Sequence, residues 1–246
     1  VGVAATTARM MTQGTVDYSS FEISEMVSKY GAHLSVTNTS DHLKISLFTL
    51  TKYLKEVLPI VKDVLLNASF PKSELSILKE NMLQGFRLNL EKTSYVASQL
   101  FKKTLFGENH PYTDETTLDS INNLNTSLLK DFFQKHIVQK EFDIVVAGNI
   151  PNNFIQLLDE EFGGLPINKS QIITNHQLIT SLEKSHYIDK KDALQTNIKI
   201  GCKSISRKHE DCFDFVVLNE IIGGFFGSRL MKNLREDKGY TYGIHS

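Results

Sequence analysis

The sequence predicts an α+β fold made of two repeated αβ domains, both truncated in this chain. Apolar residues recur at helical spacing through much of the first 137 residues, and one stretch alternates as a β-hairpin does. The order helix, glycine, helix, glycine turn and strand occurs near both ends, which indicates an internal repeat or the chance recurrence of a common pattern. The 246 residues, 41% of them hydrophobic, suffice for one large domain or two modest ones. We predict a first domain over 1–165, a linker over 166–185 and a second domain over 186–246.

The first domain is predicted to be mainly helical with one small sheet. Alternation of apolar and polar residues over 32–36 and 43–47 predicts a half-buried antiparallel hairpin. Pro59 predicts a kink in the helix that contains it, because proline in a helix interior costs about 3 kcal/mol. A break over 107–112 interrupts the helical pattern. Helices are predicted over 2–13, 20–30, 54–65 and 126–137, and helical patterns continue over 75–105.

Shorter patterns complete the chain. The continuous apolar run at 144–147 predicts a buried strand, and Pro151 is typical of the first turn of a helix. The stretch 241–244 resembles a strand cut by the end of the chain, and Val1 is not an initiator methionine, so we expect a fragment of a longer protein. The second domain is predicted to contain a strand over 197–201 and helices over 213–221 and 228–237.

Composition excludes several classes of protein. The 27 Lys and Arg residues nearly balance 28 Asp and Glu residues, so no basic field is available to collect nucleic acid. No apolar run approaches the roughly 18 residues of a membrane span, and we expect a soluble protein of unknown compartment, cytoplasmic or periplasmic. Cys202 and Cys212 are too few for a disulfide framework or a Cys-rich zinc site, and are expected to be buried or half-buried thiols.

Several segments fit the motif frame of one peptidase family. Gly2-Val3-Ala4-Ala5-Thr6-Thr7-Ala8-Arg9-Met10, followed by Gly14-Thr15, keeps the frame of Gly-x-Ala-His-x-x-Glu-His-Met and Gly-Thr. On these residues the chain resembles the insulinase/pitrilysin family of zinc metallopeptidases, whose relatives include the mitochondrial processing peptidase subunits. Further matches are Asn109-His110-Pro111-Tyr112, Val145-Val146-Ala147-Gly148-Asn149, Gln195-Thr196, Gly201, Gly223-Gly224, Ser228-Arg229-Leu230, Leu234-Arg235-Glu236 and Gly239-Tyr240-Thr241-Tyr242.

The resemblance implies a zinc motif that is degenerate in this chain. In the family, two histidines one helical turn apart and a distal glutamate bind zinc, and the intervening glutamate takes a proton from the zinc-bound water. Ala5 and Arg9 stand at the two histidine positions. Ala8 stands at the position of the glutamate base. The alanines offer no lone pair, and Arg9 brings a permanent positive charge to the place of the dication. We therefore expect this chain to bind no metal or other cofactor.

Glu80 falls near the place of the family's distal glutamate. Two interpretations are open. Glu80 is an exposed helix carboxylate, which is the favoured interpretation, or it pairs with Arg9 in place of the metal site.

Arg235 and Tyr242 match a second functional pair of the family. There, an arginine and a tyrosine seven residues apart hold the substrate and stabilise the oxyanion that develops at the scissile carbonyl. Such donors each lower the barrier by about 2.7–4 kcal/mol. Tyr240 lies on the same predicted strand face as Tyr242 but does not match the motif. From the residues alone, Arg235 would be an ordinary cation at a helix C-terminus and Tyr242 a core aromatic.

The resemblance implies two candidate functions. Some bacterial family members resemble split enzymes, in which one chain carries the zinc motif and its partner carries the Arg and Tyr pair. We therefore expect a non-catalytic subunit that acts on peptides with a homologous zinc-bearing subunit, or as a self-dimer. The alternative is an inactive scaffold or peptide-holding protein, with an exposed sheet edge that accepts an extended peptide. An ordinary active peptidase would need metal ligands that the sequence lacks.

Overall fold

The structure is a computed structural model that describes residues 2–138, 140–167 and 185–246. The chain divides into two compact units, Val1–Lys199 and Ile200–Ser246. Most of the predicted linker over 166–185 lies outside the described residues.

The first unit is built from helices around one β-hairpin. The helices are α1 (Val3–Met10), α2 (Ser20–Lys29), α3 (Leu54–Leu66), α4 (Lys72–Glu91), α5 (Thr93–Phe106), α6 (Leu118–Asn122), α7 (Thr126–His136) and α8 (Phe154–Leu158), with single 3₁₀ turns at Thr51–Tyr53 and Pro111–Thr113 and a π-helical turn at Asp159–Gly163. The predicted helices over the first 137 residues are confirmed, and Pro59 lies inside α3. The prediction for Pro151 is wrong, because α8 begins at Phe154 with Asn153 as its N-cap and Pro151 precedes the helix. The predicted stretch from 75 to 105 is two helices, because Lys92 adopts an extended conformation between α4 and α5.

Local hydrogen bonds explain where the helices begin. Ser19 and Glu22 form a capping box at the start of α2, in which Ser19 Oγ accepts from Glu22 N at 3.3 Å and Glu22 Oε2 accepts from Ser19 N at 2.8 Å. Asn125 caps α7, where its Oδ1 accepts from Leu128 N at 3.0 Å. Gly31 ends the α2 turn with φ of 59°, a conformation that glycine adopts without steric cost.

The predicted hairpin is confirmed. β1 (His33–Asn38) and β2 (Leu43–Phe48) are antiparallel, with Val36 opposite Ile45 and Leu34 opposite Leu47. These apolar pairs turn one face of the hairpin towards the core. Within the described residues, β1 and β2 form a two-stranded sheet without a third strand.

One core joins the hairpin to the helices. Phe70 and Phe133 meet edge to face with ring centroids 5.3 Å apart, and α1 contacts both α7 and β1. Met10 at the end of α1 is fully buried in this core. The buried cluster comprises Met10, Met11, Ile23, Val27, Val57, Ile60, Val64, Ala68, Phe70, Leu75, Leu124, Leu129 and Phe133.

Three predicted strands are wrong. The segments 144–147, 197–201 and 241–244 are not strands in the structure, and Val145 and Ile200 are more than 90% exposed. An apolar run becomes a strand only when a neighbouring strand accepts its backbone hydrogen bonds. In the described parts of the chain, no strand lies beside any of the three segments.

The second unit contains α9 (Cys212–Asn219) and two π-helical segments, Glu220–Gly224 and Met231–Asp237. The two predicted helices of this unit are therefore confirmed, but α9 has no buried residue. Cys212 is half-buried as predicted, whereas the prediction for Cys202 is wrong because that thiol is exposed.

Among the described helices, none combines the length and apolar character that a membrane span needs.

Candidate functional site

The degenerate motif lies on α1, and its three substituted positions have different surroundings. Ala5 is half-buried and Arg9, one turn later on the same helix face, is exposed. Ala8 is only 1% exposed. The face that would hold two zinc ligands is therefore accessible, whereas the position of the general base is packed inside the protein.

Thr6 and Thr7 are two buried polar residues within the motif that sequence reasoning missed. Thr6 Oγ1 donates to the Gly2 carbonyl oxygen at 2.8 Å and lies 3.9 Å from Met82 Sδ, which connects α1 to α4. Thr7 Oγ1 is buried and makes no hydrogen bond within the described residues. The signal available in the sequence was two adjacent polar residues shortly before Met10, because polar residues in a helix that packs on a core require hydrogen-bond partners.

The donor set does not fit a zinc ion. Ala5 and Ala8 carry no coordinating atom, and the Arg9 guanidinium cannot lose its proton to become a ligand. Across residues 2–138, 140–167 and 185–246, no three His, Cys, Asp or Glu side chains group together as a metal site would require.

The hypothesis of an Arg9–Glu80 pair is wrong. Both residues are described, both are exposed, and no ion pair joins them. Two flexible, solvated side chains gain little from pairing, because each loses conformational freedom and water already screens the charges. Glu80 is therefore an exposed carboxylate on α4.

Arg235 lies in the Met231–Asp237 segment of the second unit, where it is half-buried. Its guanidinium carbon lies 4.6 Å from the centroid of the Phe226 ring. This cation–π contact fixes the position of the charge without occupying its N–H groups. Sequence reasoning missed Phe226, and its aromatic character nine residues before an arginine carried no specific signal.

Tyr242 is 89% exposed and Tyr240 is 78% exposed, so the core-aromatic interpretation of Tyr242 is wrong. The backbone N–H of Tyr240 donates to the Leu234 carbonyl oxygen at 2.9 Å, which turns the chain back after the helical segment at Gly239. No hydrogen bond or ring contact joins the described residues Arg235 and Tyr242 to each other.

Two family profiles match the chain. The profile described as Insulinase (Peptidase family M16) matches residues 1–114, and the profile described as Peptidase M16 inactive domain matches residues 123–246. The chain belongs to the insulinase (M16) peptidase family. The resemblance inferred from the motifs is thus confirmed.

Curated members of the M16 family include both proteases and inactive homologues. The chain is 25% identical over 252 residues to the uncharacterized zinc protease YmxG of Bacillus subtilis, covering 100% of this chain and 59% of that protein. It is also 25% identical over 249 residues to the non-peptidase homolog YmxG of Helicobacter pylori, covering 100% of this chain and 57% of that protein. The chain therefore spans somewhat more than half the length of these relatives.

Solved structures show the same M16 fold. The peptidase M16 inactive domain from Pseudomonas fluorescens superimposes with a TM-score of 0.76 at 23% identity, covering 100% of this chain and 60% of that one. A protease from Helicobacter pylori gives a TM-score of 0.73 at 14% identity, covering 97% of this chain and 59% of that one. The chain thus has a mixed α/β fold that resembles M16 domains.

A further M16 structure contains a bound protein. The ferredoxin protease FusC, in complex with Arabidopsis ferredoxin, gives a TM-score of 0.57 at 12% identity, covering 72% of this chain and 20% of that one.

Proposed function

We propose that this chain is a non-catalytic subunit of an M16-family zinc metalloendopeptidase. It supplies Arg235 and Tyr242 to an active site whose zinc is held by a homologous partner subunit, and the substrate is a peptide. The observation that carries the proposal is a mismatch within one chain: the zinc motif lacks its ligands, while the Arg and Tyr pair is present.

The surroundings of Arg235 and Tyr242 support this role. Phe226 orients the Arg235 guanidinium but leaves its N–H donors available for a carbonyl oxygen or an oxyanion. The Tyr242 side chain projects into solvent, where its hydroxyl is accessible to a ligand. A positioned cation and a phenol can both stabilise the negative charge of a tetrahedral intermediate. A purely structural role would require neither group.

The proposal includes two repeated αβ domains divided near 166–185. Support comes from the shared local order of the two units, since Gly31 and Gly239 both follow a helical segment with φ of 59° and 65°. In both places a strand is predicted to follow the glycine turn, and within the described residues only the first of these, β1, pairs as a strand.

The test is reconstitution of peptidase activity. The purified chain is mixed with a homologous chain from the same organism that carries an intact His-x-x-Glu-His, and cleavage of a fluorogenic peptide library is measured. Either chain alone should be silent, and the mixture should be active. Arg235→Ala and Tyr242→Phe should each lower kcat by about 10²–10³-fold, as expected for the loss of an oxyanion donor.

Two matched controls separate this role from general damage. Tyr240→Phe removes an exposed phenol two residues away, and Arg207→Ala removes an exposed cation of the same unit. Both variants should retain the activity of the wild-type mixture. A mixture that stays silent, or one in which the Arg235 and Tyr242 variants remain fully active, would overturn the proposal.

The second candidate is an inactive scaffold or peptide-holding protein of the same fold. It is favoured by the hairpin, whose two strands have no further strand beside them in the described residues and so leave edges for an extended peptide. This function predicts that the chain alone binds unstructured peptides in fluorescence anisotropy and that Arg235→Ala binds equally well. Absence of peptide binding by the chain alone would remove this candidate.

A further inference from the structure

The Asn109–Tyr112 motif lies far along the sequence from the β-hairpin, yet it contacts the hairpin tip. Tyr112 Oη donates to Asp41 Oδ1 at 2.7 Å, and the two residues are 71 positions apart. Asp41 belongs to the loop that joins β1 to β2. This hydrogen bond therefore connects the tip of the hairpin to the segment that follows α5.

The segment around Tyr112 is held firmly from its own side. His110 Nδ1 accepts from Tyr112 N at 3.1 Å. Thr113 is only 3% exposed, and its hydroxyl lies 2.6 Å from the His110 carbonyl oxygen and 2.9 Å from the Gly107 carbonyl oxygen. These contacts keep the backbone of the Pro111–Thr113 turn in one conformation.

Two aromatic rings, those of Phe106 and His110, pack against the ring of Tyr112. Phe106 stacks on His110 with centroids 5.2 Å apart, and Tyr112 meets Phe106 at 5.3 Å and His110 at 4.8 Å, both edge to face. Such pairs favour a defined ring orientation beyond the apolar area that they bury. This packing consequently orients the Tyr112 hydroxyl towards the hairpin.

The hairpin tip has its own hydrogen bonds, which make it a compact target for the phenol. Thr39 Oγ1 accepts from the backbone N–H groups of Asp41 and His42, each at 3.2 Å. Thr39 N donates to the His42 carbonyl oxygen at 2.8 Å. The Asp41 carboxylate thus belongs to a hydrogen-bonded turn. A contact that restrains this carboxylate therefore also restrains the turn.

We propose that Tyr112 is a positioning residue that clamps the tip of the β1–β2 hairpin through Asp41, while Phe106 and His110 fix the phenol. The clamp gives the small sheet a second anchor besides its packing on the core. It determines the position of the hairpin tip independently of the roles of Arg235 and Tyr242. The hydrogen bond to Asp41 also raises the pKa of the Tyr112 phenol, because the carboxylate stabilises the protonated hydroxyl.

Hydrogen–deuterium exchange of the full chain tests the clamp. In Tyr112→Phe, which keeps the ring stack, the amides of Asp41 and His42 should exchange about tenfold faster than in the wild type. Asp41→Ala, which removes the acceptor, should have a similar effect, and the double variant should be no worse than either single variant, because both substitutions remove the same interaction. Tyr18→Phe removes a phenol of similar exposure outside this cluster and should leave loop exchange unchanged.

An absorbance titration provides a readout that general destabilisation would not reproduce. The Tyr112 phenol should ionise above the ordinary tyrosine range, and Tyr112→Phe should remove this late component of the titration. Asp41→Ala should lower the pKa of the Tyr112 phenol towards the ordinary range, because it removes both the acceptor and the charge. Unchanged loop exchange in Tyr112→Phe, additive effects in the double variant, or a late component of the titration that is unchanged in Asp41→Ala would overturn the clamp.

Discussion

The guanidinium of Arg235 lies over the face of Phe226, with the guanidinium carbon 4.6 Å from the ring centroid. In this position the ring aligns a charge that the proposed function places near the scissile carbonyl. A contact of this kind contributes about 0.5–1 kcal/mol at a partly exposed site. Phe226→Leu should therefore lower kcat of the reconstituted peptidase by about two- to fivefold, far less than Arg235→Ala.

Phe225→Leu is the matched control for that measurement, because Phe225 is a neighbouring exposed ring that forms no cation–π contact with Arg235 in the described residues. It should leave kcat unchanged. Equal losses in the Phe225 and Phe226 variants would show that the stacking on Arg235 has no part in the rate.

The degenerate motif predicts that the purified chain carries no zinc. Chelator-free purification followed by elemental analysis should find only background metal, since Ala5, Ala8 and Arg9 supply no ligand. Ala5→His together with Arg9→His should introduce weak zinc binding, because it places two imidazoles one turn apart on the accessible face of α1. Ala5→His alone, which retains the Arg9 charge, should not. One tightly held zinc per wild-type chain would contradict the prediction.

The buried hydroxyl of Thr7 predicts a stabilising substitution. Thr7 Oγ1 has no hydrogen-bond partner in the described residues, so Thr7→Val removes a desolvated polar group without changing the shape of the side chain much. The free energy of unfolding should rise by about 1 kcal/mol, measured by urea denaturation. Thr113→Val is the opposite case, because the Thr113 hydroxyl bonds to carbonyl oxygens, and it should destabilise by about 1–2 kcal/mol. Destabilisation by Thr7→Val would indicate a partner for that hydroxyl.

The capping box of α2 predicts that Ser19→Ala destabilises the folded protein. The substitution removes the acceptor for Glu22 N, and the free energy of unfolding should fall by about 1 kcal/mol at neutral pH. Ser28→Ala, an exposed serine on the same helix, should have little effect.

The same box also carries a pH dependence. The backbone N–H of Ser19, and then its hydroxyl, lower the pKa of Glu22 by bonding to the carboxylate. Because the pKa is lower in the folded state, this stabilisation is present above the ordinary carboxyl range and is lost as the pH falls through the folded pKa. The difference in stability between wild type and Glu22→Gln should accordingly shrink in acid.

His136 at the end of α7 predicts a second pH effect. Its pKa is lowered, first by partial burial and then by the charges of Lys135 and Lys140. Its ring packs on Phe132 with centroids 4.7 Å apart. Protonation therefore costs more in the folded than in the unfolded chain, so stability should rise with pH just below the ordinary histidine value of about 6.5. An NMR titration should place His136 below that value, and Phe132→Ala should move its midpoint upward.

The helices and the hairpin were predictable because the residues that determine them lie close together in the sequence. Spacing of apolar residues, the Ser19–Glu22 pair and the Gly31 turn all act within a few residues of one another. The segments 144–147 and 241–244 carry equally good strand patterns, but a strand depends on a neighbouring strand that the local pattern does not specify.

The candidate site was predictable only in part. The absence of ligands at Ala5 and Arg9 follows from the motif, whereas the contact of Phe226 with Arg235 and the burial of Thr7 depend on tertiary packing. The bond between Tyr112 and Asp41 joins residues too far apart in sequence for any local pattern to reveal.

Helix α1 has a buried side that packs on the core and an outer side that carries Ala5 and Arg9 of the degenerate motif. Met10 is enclosed by the core and holds the helix in place, while Ala5 and Arg9 lie on the side from which metal chemistry would be performed. Substitution of the exposed Arg9 should therefore change stability little, whereas Ala5 is half-buried. Ala8 is the exception, since a carboxylate there would have to displace packed neighbours. The protein interior would therefore oppose a general base at position 8, whereas the outer side of α1 leaves room for ligands at positions 5 and 9.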